Sequence, residues 1–177
     1  MQSLGWRNEE SQTRRFTALS QWGNLSGLSI LDLGCGRGDL KPFLDSHFDN
    51  FCYIGVDMMP EFIVDAKARY GQLQNTTFLL GEFSSLTIPP VDVIIASGSL
   101  NYQNSESQHP RPTIQRLWDA CQMGLAFNLL DASELPSAGL LQSYQPKEIL
   151  HFCQSLDPHA TLLTGYHPED FTILMHR

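Results

Sequence analysis

No apolar run in the chain approaches the roughly 18 residues that cross a membrane, and no short apolar stretch follows a basic start as in a secretory leader. A cytoplasmic protein without membrane partners is expected. Cysteine is scarce: Cys35, Cys52, Cys121 and Cys153 form no C-x-x-C pair, so free buried thiols in a reducing compartment are expected, not a disulfide frame. Basic charge is scarce too. Lys and Arg total 11 against 19 Asp and Glu, the net charge is −8, and only Arg14 and Arg15 adjoin. Such a surface repels a phosphate backbone and disfavours nucleic acid as a partner. The six histidines show no metal-ligand spacing, and no metal is expected.

What is present is a strand, a glycine-rich turn and a helix between Ile30 and Leu44. The run I-L-D-L opens like a strand buried on both faces of a parallel sheet. Gly34, Gly36 and Gly38 follow at alternate positions, with Cys35 between the first two, and Leu40, Phe43 and Leu44 then have the spacing of a helix inner stripe. Bare backbone ahead of a helix N-terminus is suited to close approach by a ligand. A dinucleotide fingerprint reads G-x-G-x-x-G. Here the third glycine comes one residue early, and an acid, Asp32, precedes the first by two.

D-x-G-x-G-x-G resembles motif I of class I S-adenosylmethionine (SAM)-dependent methyltransferases. The opening G-W-R-N-E-E-S-Q-T-R-R-F is similar to that of small bacterial members of this superfamily. The resemblance implies SAM as cofactor, S-adenosylhomocysteine as its product, and Asp32, Gly34, Cys35 and Gly36 around the amino-acid end of the cofactor.

Further candidates follow along the chain. A lead-in helix over residues 8–22, capped by Asn8 and stopped at Gly23, puts Gln12 and Arg15 on one face, where they are candidates for contact with the acceptor. The second strand, Phe51–Val56, ends at Asp57, 19 residues beyond Gly38 and close to the spacing of an acid that binds ribose hydroxyls. Met58 is a candidate apolar wall for adenine. After a third strand, Thr76–Leu80, the resemblance implies an adenine-contacting acid and an apolar neighbour, chemistry that Glu82 and Phe83 match. The strand Val91–Ala96 then starts only ten residues after Gly81, and Pro89-Pro90 forbids a full helix there, a departure from the family pattern. Ser97, Gly98, Asn101 and Tyr102 occupy the position of motif IV. Ser97 and Gly98 are candidates beside the cofactor, Asn101 and Tyr102 beside the acceptor. The Asp/Asn-Pro-Pro-aromatic signature of amide- and base-nitrogen methylation is missing.

The remaining pattern predicts a helix from Pro112 stopped by Gly124, a strand Leu125–Leu130 interrupted by Asn128, a loop over 131–145, a helix from Pro146, and a closing pair of strands, Ala160–Gly165 and Phe171–Met175. The expected fold is α/β: a single Rossmann-like, doubly wound domain over residues 1–177 with a mostly parallel seven-stranded sheet and a C-terminal antiparallel hairpin. Residues 1–26 would form a lid and 27–177 the SAM-binding core. The expected activity is methyl transfer to a small-molecule acceptor. Alternatives are methylation of protein or RNA, and a SAM-binding sensor or scaffold that transfers nothing. No residue stands out as a catalytic base, and oligomeric state is not legible.

Overall fold

The computed structural model describes residues 9–82, 87–102 and 110–177. Asn8 and Phe83, two residues with expected roles, lie outside them. Eight strands, β1(Ser29–Leu33), β2(Cys52–Asp57), β3(Thr76–Leu80), β4(Val91–Ala96), β5(Cys121–Asp131), β6(Ser143–Tyr144), β7(Thr161–Leu163) and β8(Asp170–His176), form one sheet. Its order is β3-β2-β1-β4-β5-β8-β7, with the two-residue β6 pairing the end of β5. All pairings are parallel except β5–β8 and β7–β8. The helices are α1(Glu9–Ser20), α2(Leu40–Asp45), α3(Pro60–Tyr70), α4(Arg111–Ala120) and α5(Pro146–Leu156).

Alternation along the central strands sends neighbouring side chains to opposite faces, and each face has its own core. Ile30, Tyr53, Val93, Ile95, Ala126 and Leu174 pack against α1, α2 and α3 through Phe16, Leu19, Leu40, Leu44, Ile63 and Ala66. Leu31, Ile94, Phe127 and Ile173 pack against α4 and α5 through Ile114, Leu117, Trp118, Ile149 and Cys153. Burial on both faces explains the mostly apolar runs of β1, β4 and β5. Strand order reverses between β1 and β4, so a crevice opens at their carboxyl ends.

Two expectations are corrected. The segment 131–145 is not all loop, because Ser143 and Tyr144 pair with Leu130 and Asp131 beyond the end of β4. Gly124 does not stop the fourth helix. That helix ends at Ala120, and Cys121 is already extended and paired with Val91. Gly124 serves packing instead. A Cβ there would lie 2.3 Å from the Met175 carbonyl oxygen and 2.5 Å from Trp22 Nε1. The Trp22 indole fills that space, donates to the Met175 carbonyl at 2.8 Å and stacks on His176, fastening the end of the α1 segment to β8.

Gly124→Ala overpacks this seat, at a cost of about 1–3 kcal/mol. We expect the melting temperature to fall by about 3–10 °C in a thermal unfolding scan. An unchanged value would mean that Trp22 does not rest on Gly124.

Candidate active site

The turn after β1 is shaped by its glycines and anchored by β2. Gly34, Gly36 and Gly38 all have positive φ, at 79°, 53° and 79°, which side chains disfavour. The N–H groups of Gly34 and Cys35 donate to the Val56 carbonyl at 2.8 and 2.9 Å. One residue on, the Asp57 carboxylate takes the Gly36 N–H on Oδ2 at 2.8 Å and the Met59 N–H on Oδ1 at 2.9 Å. One side chain therefore holds both the glycine turn and the entry to α3. A carboxylate offers about four lone-pair sites, so two remain for a ligand. Gly38 is needed for a different reason. Its Cβ would sit 2.9 Å from the Phe78 ring, and that of Gly55 would sit 2.7 Å from it, so Phe78 wedges between the turn and β2.

Asp32 forms the floor beneath the turn, 2% exposed, and accepts the Tyr53 hydroxyl at 2.5 Å. Burial pushes its pKa up to about 7, with the negative charges of Asp57 and Asp39 adding to the shift and the Tyr53 bond opposing it. Cys35 is buried, and desolvation followed by repulsion from Asp32 and Asp57 raises its pKa, so it stays a thiol.

The other predicted residues divide by position. Met58 is 55% exposed next to Asp57, and the Gly81 N–H donates to the Asp57 carbonyl at 3.0 Å, drawing the segment with exposed Glu82 to the same corner. Gly98, φ 72°, turns the chain after β4 into a single 3-10 turn, Ser99–Asn101, where Ser99 donates to the Leu33 carbonyl at 2.5 Å. Asn101 is buried and committed to the scaffold: its Oδ1 accepts the Leu130 N–H at 2.9 Å and its Nδ2 donates to the Gly98 carbonyl at 3.2 Å. Tyr102 remains about half exposed. Burial, then the charge of Asp57, raises its pKa, which puts the ring within the field of that carboxylate. Gln12 is half-buried on α1.

The α1 side of the sheet ends in polar groups where the apolar alternation predicts more core: Asp57, Asp32, Ser97, Asn128, Thr172 and Asp170, from β2, β1, β4, β5 and β8 in spatial order. Ser97 Oγ donates to Asn128 Oδ1 at 3.2 Å, and Asn128 Nδ2 donates to Thr172 Oγ1 at 2.6 Å and to the Tyr166 hydroxyl at 3.2 Å. Beside them a closed ring ties α1 to β8. Arg15 Nε pairs with Asp170 Oδ2 at 2.5 Å, and an Arg15 Nη1 hydrogen goes to Ser11 Oγ at 2.8 Å. Ser11 Oγ lies 3.1 Å from His167 Nε2, and His167 Nδ1 lies 2.9 Å from Asp170 Oδ2. Burial, chiefly, lowers the His167 pKa below its usual 6.5; Asp170 opposes this and Arg15 reinforces it. Arg15 thus fastens the helix. Of these groups, sequence reasoning singled out Asp57, Asp32, Ser97 and Arg15 and noted that a buried Asn128 needs a partner; it missed Ser11, Tyr166, His167, Asp170 and Thr172. Ser11 and His167 lie 156 residues apart and Asn128 and Thr172 44 apart, so no spacing signal links them.

Asp32 gives a pH test. Its native pKa of about 7 exceeds the unfolded carboxylate value of about 3.9, so the native state binds more protons between those limits and stability falls as pH rises through the window. In denaturant titrations, wild type should lose stability relative to Asp32→Asn from about pH 4 to pH 7. A constant difference would contradict the buried carboxylate with a raised pKa.

A family profile described as "Methyltransferase domain" matches residues 30–124, from β1 into β5 and over half of the chain. A Mycobacterium tuberculosis protein bearing a provisional methyltransferase name is 29% identical over 159 residues, covering 84% of this chain and 93% of that protein. The malonyl-[acyl-carrier protein] O-methyltransferase of Neorickettsia risticii is 29% identical over 147 residues, 77% of this chain but only 55% of that enzyme. In fold, the chain superimposes on magnesium protoporphyrin IX methyltransferase from Synechocystis, crystallised with S-adenosylhomocysteine. The TM-score is 0.70 at 16% identity, over 98% of this chain and 89% of that one. The chain belongs to the methyltransferase-domain family, as a class I SAM-dependent methyltransferase.

Proposed function

We propose that the enzyme methylates a small-molecule acceptor held between α1 and the carboxyl ends of β4, β5 and β8, with SAM seated on the glycine turn. The cofactor side fits the group. Asp57 has lone pairs left for ribose hydroxyls beside the turn it anchors, Gly34 and Gly36 offer backbone without side chains, and Met58 offers an apolar surface at the same corner. Asp32 sits at the base of the turn, and Glu82, Phe83, Ser97 and Gly98 complete the candidate set for the nucleoside and the methyl-bearing end. When bound, SAM supplies a methyl group already activated by a sulfonium. The protein's task is then to orient a nucleophile and exclude water, and positioning of this kind contributes about 7–11 kcal/mol. A base is required only for an acceptor that keeps its proton at neutral pH.

The observation that carries the acceptor reading is the polar row Ser97–Asn128–Thr172–Tyr166 beneath a helix fastened by the Arg15–Asp170 pair. Its hydrogen-bonding groups are uncharged, which suits a small, partly polar molecule. The negative net charge weighs against RNA. A second reading, a small group presented on a carrier protein, draws on the Neorickettsia relative's malonyl-carrier substrate and on the exposed Tyr102 and Leu140 near the rim.

Saturating S-adenosylhomocysteine at about 100 times its Kd should stabilise the fold by about 2.7 kcal/mol, a rise of about 5–11 °C in melting temperature, whereas NAD should give none. Asp57→Ala should abolish the rise by removing the ribose acceptor and releasing the Gly36 N–H; near-normal affinity would contradict the assignment. Gly36→Val introduces a β-branched side chain at positive φ and should weaken binding at least tenfold in calorimetry, an order-of-magnitude figure, while unchanged binding would leave the turn a structural feature only. Labelled methyl groups from SAM should enter a metabolite extract; labelling confined to a protein or RNA extract would overturn the small-molecule reading.

A further inference from the structure

Among the described residues, counting hydrogens in the polar row leaves one without a taker. Ser97 Oγ donates to Asn128 Oδ1, so both amide hydrogens of Asn128 point onward, one to Thr172 Oγ1 at 2.6 Å and the other to the Tyr166 hydroxyl oxygen at 3.2 Å. Thr172, having accepted, gives its own hydrogen to the same Tyr166 oxygen at 2.8 Å. That oxygen accepts twice, which uses its lone pairs, and its hydrogen is left over. Every bond in the chain runs the same way, and successive bonds polarise one another toward Tyr166, sharpening it as a donor. Burial, the largest influence, raises the Tyr166 pKa above its usual value; the bonds from Thr172 and Asn128 and the charge of Arg15 act against this, and Asp170 acts with it. The residue is half-buried in the turn between β7 and β8, and that turn lies at the carboxyl edge of the parallel strands because Asp170 pairs with Leu130.

We propose that the Tyr166 hydroxyl reads the methyl acceptor by donating a hydrogen bond to a carbonyl or carboxylate oxygen on it. The inference rests on the reading above, that the acceptor lies between α1 and these strand ends. It narrows the substrate class to oxo-substituted small molecules. A group with hydrogens only, such as an ammonium, would leave the Tyr166 donor facing another donor, and a bare hydrocarbon would strip water from it with no replacement.

The test uses enzyme saturated with S-adenosylhomocysteine and four simple probes of similar size, titrated by NMR. Acetophenone presents a carbonyl and benzoate a carboxylate; ethylbenzene and benzylammonium present no oxygen. One or both oxygen-bearing probes should bind about tenfold tighter than the other two, and which of them does so separates carbonyl from carboxylate. In enzyme containing carbon-labelled tyrosine, the Tyr166 Cζ resonance should move with those probes alone, a readout that needs no variant. Tyr166→Phe should erase the preference and leave the affinity for S-adenosylhomocysteine unchanged. Thr172→Val, which breaks one bond of the row but keeps the Tyr166 hydroxyl, should retain the preference. Equal binding of all four probes, binding of none, or a preference that survives in Tyr166→Phe would overturn the proposal. Failure of wild type to bind S-adenosylhomocysteine would count instead against the cofactor reading.

Discussion

The Asp57 carboxylate is the constraint on which the site depends. Its two oxygens hold the Gly36 N–H and the Met59 N–H, so one side chain at the end of β2 sets both the glycine turn after β1 and the start of α3. A turn with three residues at positive φ has little intrinsic preference for a single shape, and the loss of conformational freedom must be offset by contacts. Asp57 supplies two charge-assisted bonds, the Val56 carbonyl supplies two more, and Phe78 packs where Gly38 and Gly55 lack side chains. The crevice is therefore preorganised by β2 and β3, not by the turn itself.

On the other side of the switch point the organising force is a buried charge pair. Arg15 and Asp170 are almost inaccessible, and desolvating two charges is offset only with good geometry and further hydrogen bonds. Ser11 accepts one such bond from Arg15 and contacts His167, whose ring lies beside Asp170, and the result tethers α1 to the far end of the sheet. With Trp22 seated on Gly124 at its other end, the α1 segment is pinned over the polar ends of β4, β5 and β8. In the proposed function, this is the space from which a nucleophile meets the cofactor.

The parallel core was legible because it is buried on both faces: apolar runs, a glycine turn and an acid at the end of β2 are all local signals. The closing hairpin was legible for the same reason. The short β6 was not, since two residues with no apolar pattern pair only because β5 outruns β4. Gly124 was misread as a helix stop because local rules know glycine as a terminator; the indole that requires it comes from more than a hundred residues earlier. Arg15 was found but given to the acceptor, because Asp170, its partner, lies at the opposite end of the chain. Asn101 likewise stands as a candidate beside the acceptor, while the structure spends its amide on β5. Sequence shows where chemistry is available, and only the fold shows which of it is already committed to structure.

The most direct measurement is a crystal structure of the protein grown with S-adenosylhomocysteine. The account predicts ribose hydroxyls at about 2.5–3.0 Å from the Asp57 carboxylate, with the backbone of Gly34–Gly36 against the amino-acid end of the ligand. A nucleoside bound elsewhere, or a glycine turn packed shut by the protein's own side chains, would contradict it.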